Sequence, residues 1–133
     1  MILVDTSVWV DVLRDKRGDV VGAFRQRVRD ESYVLTRFTQ MEILQGSRDE
    51  SEWRRLDGYL STQYYLEATK HTWREAARIY FELRKKGITV GSPVDCCIAQ
   101  IAMECDALLL HKDQDFERIA RICPLQGEWF GER

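Results

Sequence analysis

Met1-Ile2-Leu3-Val4-Asp5-Thr6-Ser7-Val8-Trp9 carries the reading of the fold. Residues 1–4 form a short apolar run that stops at an acid, the pattern of a parallel strand buried on both faces with Asp5 at its carboxyl end. Helical spacing starts at once. Val8, Trp9, Val12 and Leu13 recur on one face after Thr6 and Ser7, either of which can cap the helix. A strand that passes straight into a helix, with an acid at the junction, is the opening half of a βα unit.

The same alternation continues along the chain. Gly18 and its charged neighbours separate the first helix from a second over residues 20–28, and residues 33–35 read as a second strand. Thr39 followed by Glu42 has the form of a capping box opening a helix that closes near Gly46. A helix over 52–60 places Trp53, Leu56 and Leu60 inward, and residues 64–66 form a short third strand. The strongest helical pattern runs over 73–86 and stops at Gly87. Ser92 as cap and Pro93 at the first helical position start a helix through Ile98, Ile101 and Ala102 to Cys105. Residues 107–110 read as a buried strand, 111–115 as a polar loop and 116–122 as a final helix. Alternating strands and helices, without repeats or linkers, predict the α/β class: a three-layer α/β/α domain on a central, mainly parallel sheet. At 133 residues the chain reads as one domain over 1–133.

Composition narrows the function less than the acids do. Twenty Lys and Arg against 22 Asp and Glu leave a charge of −2, with no overall basic excess to announce a nucleic-acid partner. Basic residues are nonetheless clustered, and local patches matter more than the sum. The four cysteines form no Cys-x-x-Cys pair, which speaks against structural zinc and for small side chains in a reducing compartment. No apolar run approaches the roughly 18–20 residues that span a bilayer, and Asp5 interrupts any signal-peptide layout, so a cytoplasmic protein with no membrane partner is expected. Trp9, Trp53 and Trp73 fall on apolar helical faces as core anchors.

Asp5 and Asp113 each follow a predicted strand, and Glu42 and Asp95 each sit in the first turn of a predicted helix. In a parallel α/β sheet these places converge outside the carboxyl ends of the strands. Singly, Glu42 and Asp95 can be helix-capping acids, and Asp113 and Asp115 turn residues. Together they would repel one another unless a cation joined them. An all-oxygen set without companion His or Cys favours Mg²⁺ or Mn²⁺ over zinc, with Ca²⁺ also compatible, and Mg²⁺ or Mn²⁺ suits phosphodiester hydrolysis. The metal ligands expected are Asp5, Asp95 and Asp113. Thr6 and Ser7 either reach a metal through water or only cap the helix, and His111, beside the acidic loop, either donates to substrate or to a residue behind the ligands or is an incidental loop histidine.

Four segments in register, Ile2-Leu3-Val4-Asp5-Thr6-Ser7-Val8-Trp9, Met41-Glu42-Ile43-Leu44-Gln45-Gly46, Val94-Asp95-Cys96-Cys97-Ile98-Ala99 and Leu110-His111-Lys112-Asp113-Gln114-Asp115-Phe116, resemble the PIN-domain family, specifically the VapC-type toxins of bacterial toxin–antitoxin pairs. The resemblance spans nearly the whole chain. It implies a Mg²⁺- or Mn²⁺-dependent endoribonuclease with Asp5, Glu42, Asp95 and Asp113 as its acids and Asp115 supporting the last. It implies also a homodimer and a VapB-type antitoxin, in a heterotetramer or larger complex. Where Thr or Asn commonly precedes the final acidic motif, this chain has His111. Arg25, Arg29, Lys85 and Lys86 are the residues expected to contact the RNA backbone.

Two other aspartate-based classes fit poorly. A haloacid-dehalogenase pattern needs a second Asp two residues after Asp5, where Ser7 stands, and a receiver domain needs its acceptor at a later strand. The alternative from a different class is a non-catalytic PIN-like domain that binds RNA or protein, for which loss of an acid would be the mark. All the acids are present.

Overall fold

The computed structural model describes Met1–Arg133. Its strands are β1 (Ile2–Val4), β2 (Tyr33–Thr36), β3 (Tyr65–Leu66), β4 (Leu108–His111) and β5 (Gly127–Trp129). The helices are α1 (Thr6–Arg14), α2 (Asp19–Val28), α3 (Arg37–Gln45), α4 (Glu50–Leu60), α5 (Lys70–Lys85), α6 (Pro93–Glu104) and α7 (Gln114–Ile119). The strands form one sheet in the order β3-β2-β1-β4-β5, and every pairing is parallel. This is the α/β architecture expected from the alternation of strand and helix patterns.

The two-residue period of the strands divides the core. Leu3 lies in register with Val34 and Leu109, and these three join a cluster with Ala76, Ile79 and Leu83 of α5, the apolar face of α6, and Phe116 and Ile119 of α7. Ile2, Val4, Leu35 and Leu110 point the other way, against Val8 and Trp9 of α1, Phe24 and Val28 of α2, and Leu56 and Leu60 of α4. A sheet covered on both faces explains why β1 and β4 are apolar without alternation. Each fully buried Leu or Ile contributes about 1.5–3 kcal/mol of transfer free energy, so the central strands are held firmly from both sides.

Strand order fixes the position of the site. From β1 the chain builds outward through β2 and β3, then crosses to the opposite side of β1 for β4 and β5. Consequently α1, leaving β1, packs in one layer, while α7, leaving β4, packs in the other. The chain departs in opposite directions from two neighbouring strands, which opens a crevice at their carboxyl ends. The Asp5 N–H donates to Leu110 O at 3.0 Å and pins that edge.

Several local expectations are corrected by the packing. Trp9 is 1% exposed, whereas Trp53 and Trp73 are 41% and 54% exposed, so apolar spacing on α4 and α5 did not identify the buried face at those positions. Helix α3 begins at Arg37 and is capped by Thr36, whose hydroxyl accepts the Thr39 N–H. Glu42 therefore lies in the second turn and takes no part in a capping box. Strand β5 has no counterpart in the sequence reading: Gly and Glu occupy two of its three positions, and it exists because Leu110 and His111 offer their edge to Glu128 and Trp129. No helix is long and apolar enough to cross a membrane.

Candidate active site

Asp5 leaves β1 in an extended conformation and is itself the N-cap of α1, a role expected of Thr6 or Ser7. Its Oδ2 accepts the Ser7 N–H at 3.0 Å and the Ser7 hydroxyl at 2.6 Å. The carboxyl is 6% exposed, and this burial raises its pKa in spite of the two bonds from Ser7, with the charge of Asp113 adding to the rise. Ser7 Oγ also accepts the Lys112 N–H at 2.9 Å. One hydroxyl therefore ties the acid after β1 to the loop after β4.

Asp95 lies in the first turn of α6, placed there by Ser92, whose hydroxyl accepts the Val94 N–H, and by Pro93 at the helix start. Asp113 is the N-cap of α7, with its Oδ1 accepting the Asp115 N–H at 2.9 Å. A carboxylate oxygen from each of Asp95, Asp113 and Asp115 lies within 4.8 Å of the others. Burial, then the charges of Asp113 and Asp5 and contact with Asp115, push the Asp95 carboxyl up to about 8. No basic side chain forms an ion pair with Asp5, Asp95 or Asp113.

The oxygens of Asp115 are already committed. Oδ2 accepts the Gly91 N–H at 2.8 Å and Oδ1 accepts from Arg118 at 2.7 Å. A Cβ at residue 91 would lie 3.2 Å from that Oδ2, so the absence of a side chain at Gly91 lets the backbone approach. Asp115 thereby braces the segment that leads into Asp95. Glu42 stands at the α3 side of the crevice, its Oε1 accepting from the Thr6 hydroxyl at 3.2 Å. Partial burial and the charge of Asp5 raise its pKa. Asp5 is thus electrostatically coupled to Asp95 and Asp113, and Glu42 to Asp5, while both stand outside the three-oxygen group.

Two residues the sequence left without a firm role prove to support the acids. Ser7 is one. His111 is the other: it is the last residue of β4 rather than a loop residue, and it is 2% exposed. Its Nδ1 accepts the Asp113 N–H at 3.3 Å, which requires the proton on Nε2. The ring packs on Phe116 and Trp129 at centroid distances of 5.2 and 5.9 Å, and a Cβ at residue 127 would approach its Nε2 to 3.3 Å. Burial lowers the His111 pKa against the opposing pull of Asp5, Glu117 and Asp113. The only signal in the sequence was its position two residues before Asp113, where a side-chain acceptor can close a turn.

Arg25, Arg29, Lys85 and Lys86 lie elsewhere on the surface. Arg29 pairs with Asp30 at 3.6 Å, Lys85 lies over the Phe81 ring at 5.3 Å, and Lys86 lines a groove with α5 and α6 residues.

Asp5, Asp95 and Asp113 suit a hard divalent cation: they offer only oxygen, come from the β1–α1 junction, α6 and the cap of α7, and have no basic side chain paired to them, while burial and then the charges of Asp113 and Asp5 raise the Asp95 carboxyl.

The family model for the PIN domain matches residues 2–122. Ribonuclease VapC11 of Mycobacterium tuberculosis is 35% identical over 98% of this chain and 99% of its own length. VapC ribonuclease Mb1587 of Mycobacterium bovis has the same identity and coverage. A chain in the crystal structure of VapBC2 from Rickettsia felis, bound to a promoter DNA fragment, superposes with a TM-score of 0.79 at 20% identity, covering 98% of this chain and 100% of that one. A chain of VapBC-1 from nontypeable Haemophilus influenzae gives 0.80 at 20% identity, covering 99% and 100%. These two agree in fold. With a family model over almost the whole length and full-length relatives of this similarity, the chain belongs to the PIN-domain family, among its VapC-type members.

Proposed function

We propose that this protein is a Mg²⁺- or Mn²⁺-dependent endoribonuclease, the toxin of a toxin–antitoxin pair, acting as a homodimer and silenced by a VapB-type antitoxin in a heterotetramer or larger complex. The observation that carries the reading is the convergence of Asp95, Asp113 and Asp115 beside Asp5 and Glu42 at the crevice between β1 and β4. The ribonuclease names of the full-length relatives and the VapBC titles of the structural neighbours support the activity and the partner.

Asp5, Asp95 and Asp113 are the residues proposed to hold the ion. When bound, it supplies Lewis-acid activation of water and phosphate and offsets the charge that accumulates during phosphodiester hydrolysis. The rest is work for the chain. Ser7 keeps Asp5 turned and registers it with the β4 loop. His111 fixes the backbone of Asp113, and Asp115 braces Gly91 at the entry to α6. Glu42 is proposed to accept a proton from the attacking water, a role supported by its raised pKa and its hydroxyl donor from Thr6. Hydrolysis then adds water across one P–O bond, leaving a phosphate monoester on one fragment and a hydroxyl on the other.

Expression in a bacterial host tests the toxin reading. Wild type produced alone arrests growth and depletes intact RNA, and Asp5→Asn, accumulating to the same soluble level, does neither. Unaffected growth at matched wild-type levels contradicts the toxin assignment, and equal RNA loss with Asp5→Asn contradicts the site.

A further inference from the structure

A groove of about 630 Å³ runs between α1, α3 and α4, and Glu42, which also takes the Thr6 hydroxyl, is one of its lining residues, so the groove adjoins the acid site. Four cations line it: Arg14, Lys16, Arg48 and Arg55. Its remaining acids are occupied. Glu52 holds the Arg48 guanidinium at 2.8 and 3.0 Å, and Asp15 turns its oxygens to the N–H groups of Arg17 and Val21 at 3.2 and 3.0 Å. Arg14 and Lys16 form no ion pair, and Arg55 has only a 3.9 Å contact with the Glu52 already taken by Arg48. Between these cations the wall is apolar, formed by Val10 and by Leu13, which is 38% exposed.

We infer that this groove is the track for the single-stranded segment of RNA that is cut, with Arg14, Lys16 and Arg55 on its phosphates. The inference rests on the ribonuclease reading and deepens it. A cationic rim over an apolar wall suits a polyanion whose sugars and bases offer flat apolar faces. Glu42 favours this occupant: a groove lined by the residue proposed to take the proton from the attacking water runs beside the phosphodiester being cut, and its unpaired cations match a polyanion. Arg25, Arg29 and Lys85 do not line it, and Lys86 lines the separate groove beside α5 and α6.

The test uses the full chain and a short, fluorescein-labelled, mixed-sequence single-stranded RNA, with chelator present and probe integrity checked on a gel. Anisotropy is followed across a salt series. Each phosphate contact on a single strand contributes about 0.7 to the slope of log K against log salt, so Arg14→Ala/Lys16→Ala/Arg55→Ala lowers its magnitude by about 2 and weakens binding at least tenfold near ~0.1 M salt. Arg25→Ala/Arg29→Ala, as control, leaves the slope unchanged. All five positions are exposed, and circular dichroism confirms that each variant is folded. An unchanged slope in the triple variant overturns the track, as does loss of slope in the control pair. Unchanged RNA binding with weakened antitoxin binding assigns the groove to the protein partner and likewise overturns it. A wild type that cleaves RNA while the triple variant keeps its slope loses only this inference; a wild type that neither binds nor cleaves RNA removes the ribonuclease reading with it.

Discussion

Ser7 and Lys112 are joined across the mouth of the crevice: the Lys112 N–H donates to Ser7 Oγ at 2.9 Å, while the same hydroxyl donates to Asp5 Oδ2 at 2.6 Å. The acid that follows β1 is thus registered to the loop carrying Asp113 through one oxygen atom, and the spacing of two proposed ligands depends on it. Ser7→Ala removes both bonds but keeps the Ser7 N–H on Asp5. Support contacts of this kind are worth about 10–100-fold in metal affinity. Mn²⁺ affinity measured by calorimetry is expected to fall by that order in Ser7→Ala and to recover in Ser7→Thr. Equal affinity in Ser7→Ala and wild type would show that the bridge is incidental.

Asp95 supplies a pH signature. Its folded pKa, about 8, lies above the ordinary carboxyl value of 3.8, so the metal-free fold favours its protonated form. Stability associated with that proton is fully present below the unfolded pKa and is lost progressively as pH rises towards the folded value. Asp95→Asn cannot titrate. In the absence of divalent ions its Tm should match wild type near pH 4, exceed it increasingly up to about pH 8 and hold a constant lead above that. Each kcal/mol of that lead appears as a Tm shift of about 4 °C in a domain of this size. A lead that shrinks as pH rises contradicts the burial and carboxylate repulsion that raise the Asp95 pKa. Added Mn²⁺ should reverse the order by stabilising wild type alone.

His111 acts through Asp113. His111→Phe fills the space between Phe116 and Trp129 but cannot accept the Asp113 N–H, whereas His111→Asn retains a side-chain acceptor. Mn²⁺ affinity is expected to fall about tenfold in the Phe variant and to be partly restored in the Asn variant, with both folded by circular dichroism. Identical affinities in the two variants would reduce His111 to packing.

Asp115 and Asp113 should separate by substitution. Asp115→Asn loses its full charge on Arg118 and weakens the brace on Gly91, so its main effect falls on stability, about 1–3 kcal/mol by denaturant titration. Asp113→Asn leaves a capping side chain in place, and its effect falls on metal affinity. If Asp115→Asn lowers Mn²⁺ affinity as much as Asp113→Asn at unchanged stability, Asp115 is a ligand in its own right and not a brace.

Much of the fold was legible because its signals are local. The apolar run before Asp5, the Ser92-Pro93 helix start and the Gly87 stop each act within a few residues, and the parallel sheet follows from their alternation. The grouping of distant acids was legible from one topological rule, since Asp5 and Asp113 follow strands that prove to be neighbours at the point where chain direction reverses. Features set by partners far along the chain were not. Whether Trp53 and Trp73 face inward depends on which side of α4 and α5 meets the sheet, and β5 depends on the free edge of β4. The bracing role of Asp115 depends on Gly91, 24 residues earlier, and no local spacing encodes that contact.

The most direct test of the acid cluster as a nuclease centre is cleavage of a mixed RNA pool by antitoxin-free protein, followed on a denaturing gel with Mn²⁺ or with chelator. Asp5→Asn is purified identically and run alongside. Cleavage that requires Mn²⁺ and disappears in Asp5→Asn is the predicted result; cleavage that survives both chelation and the substitution would contradict the acid cluster as its source.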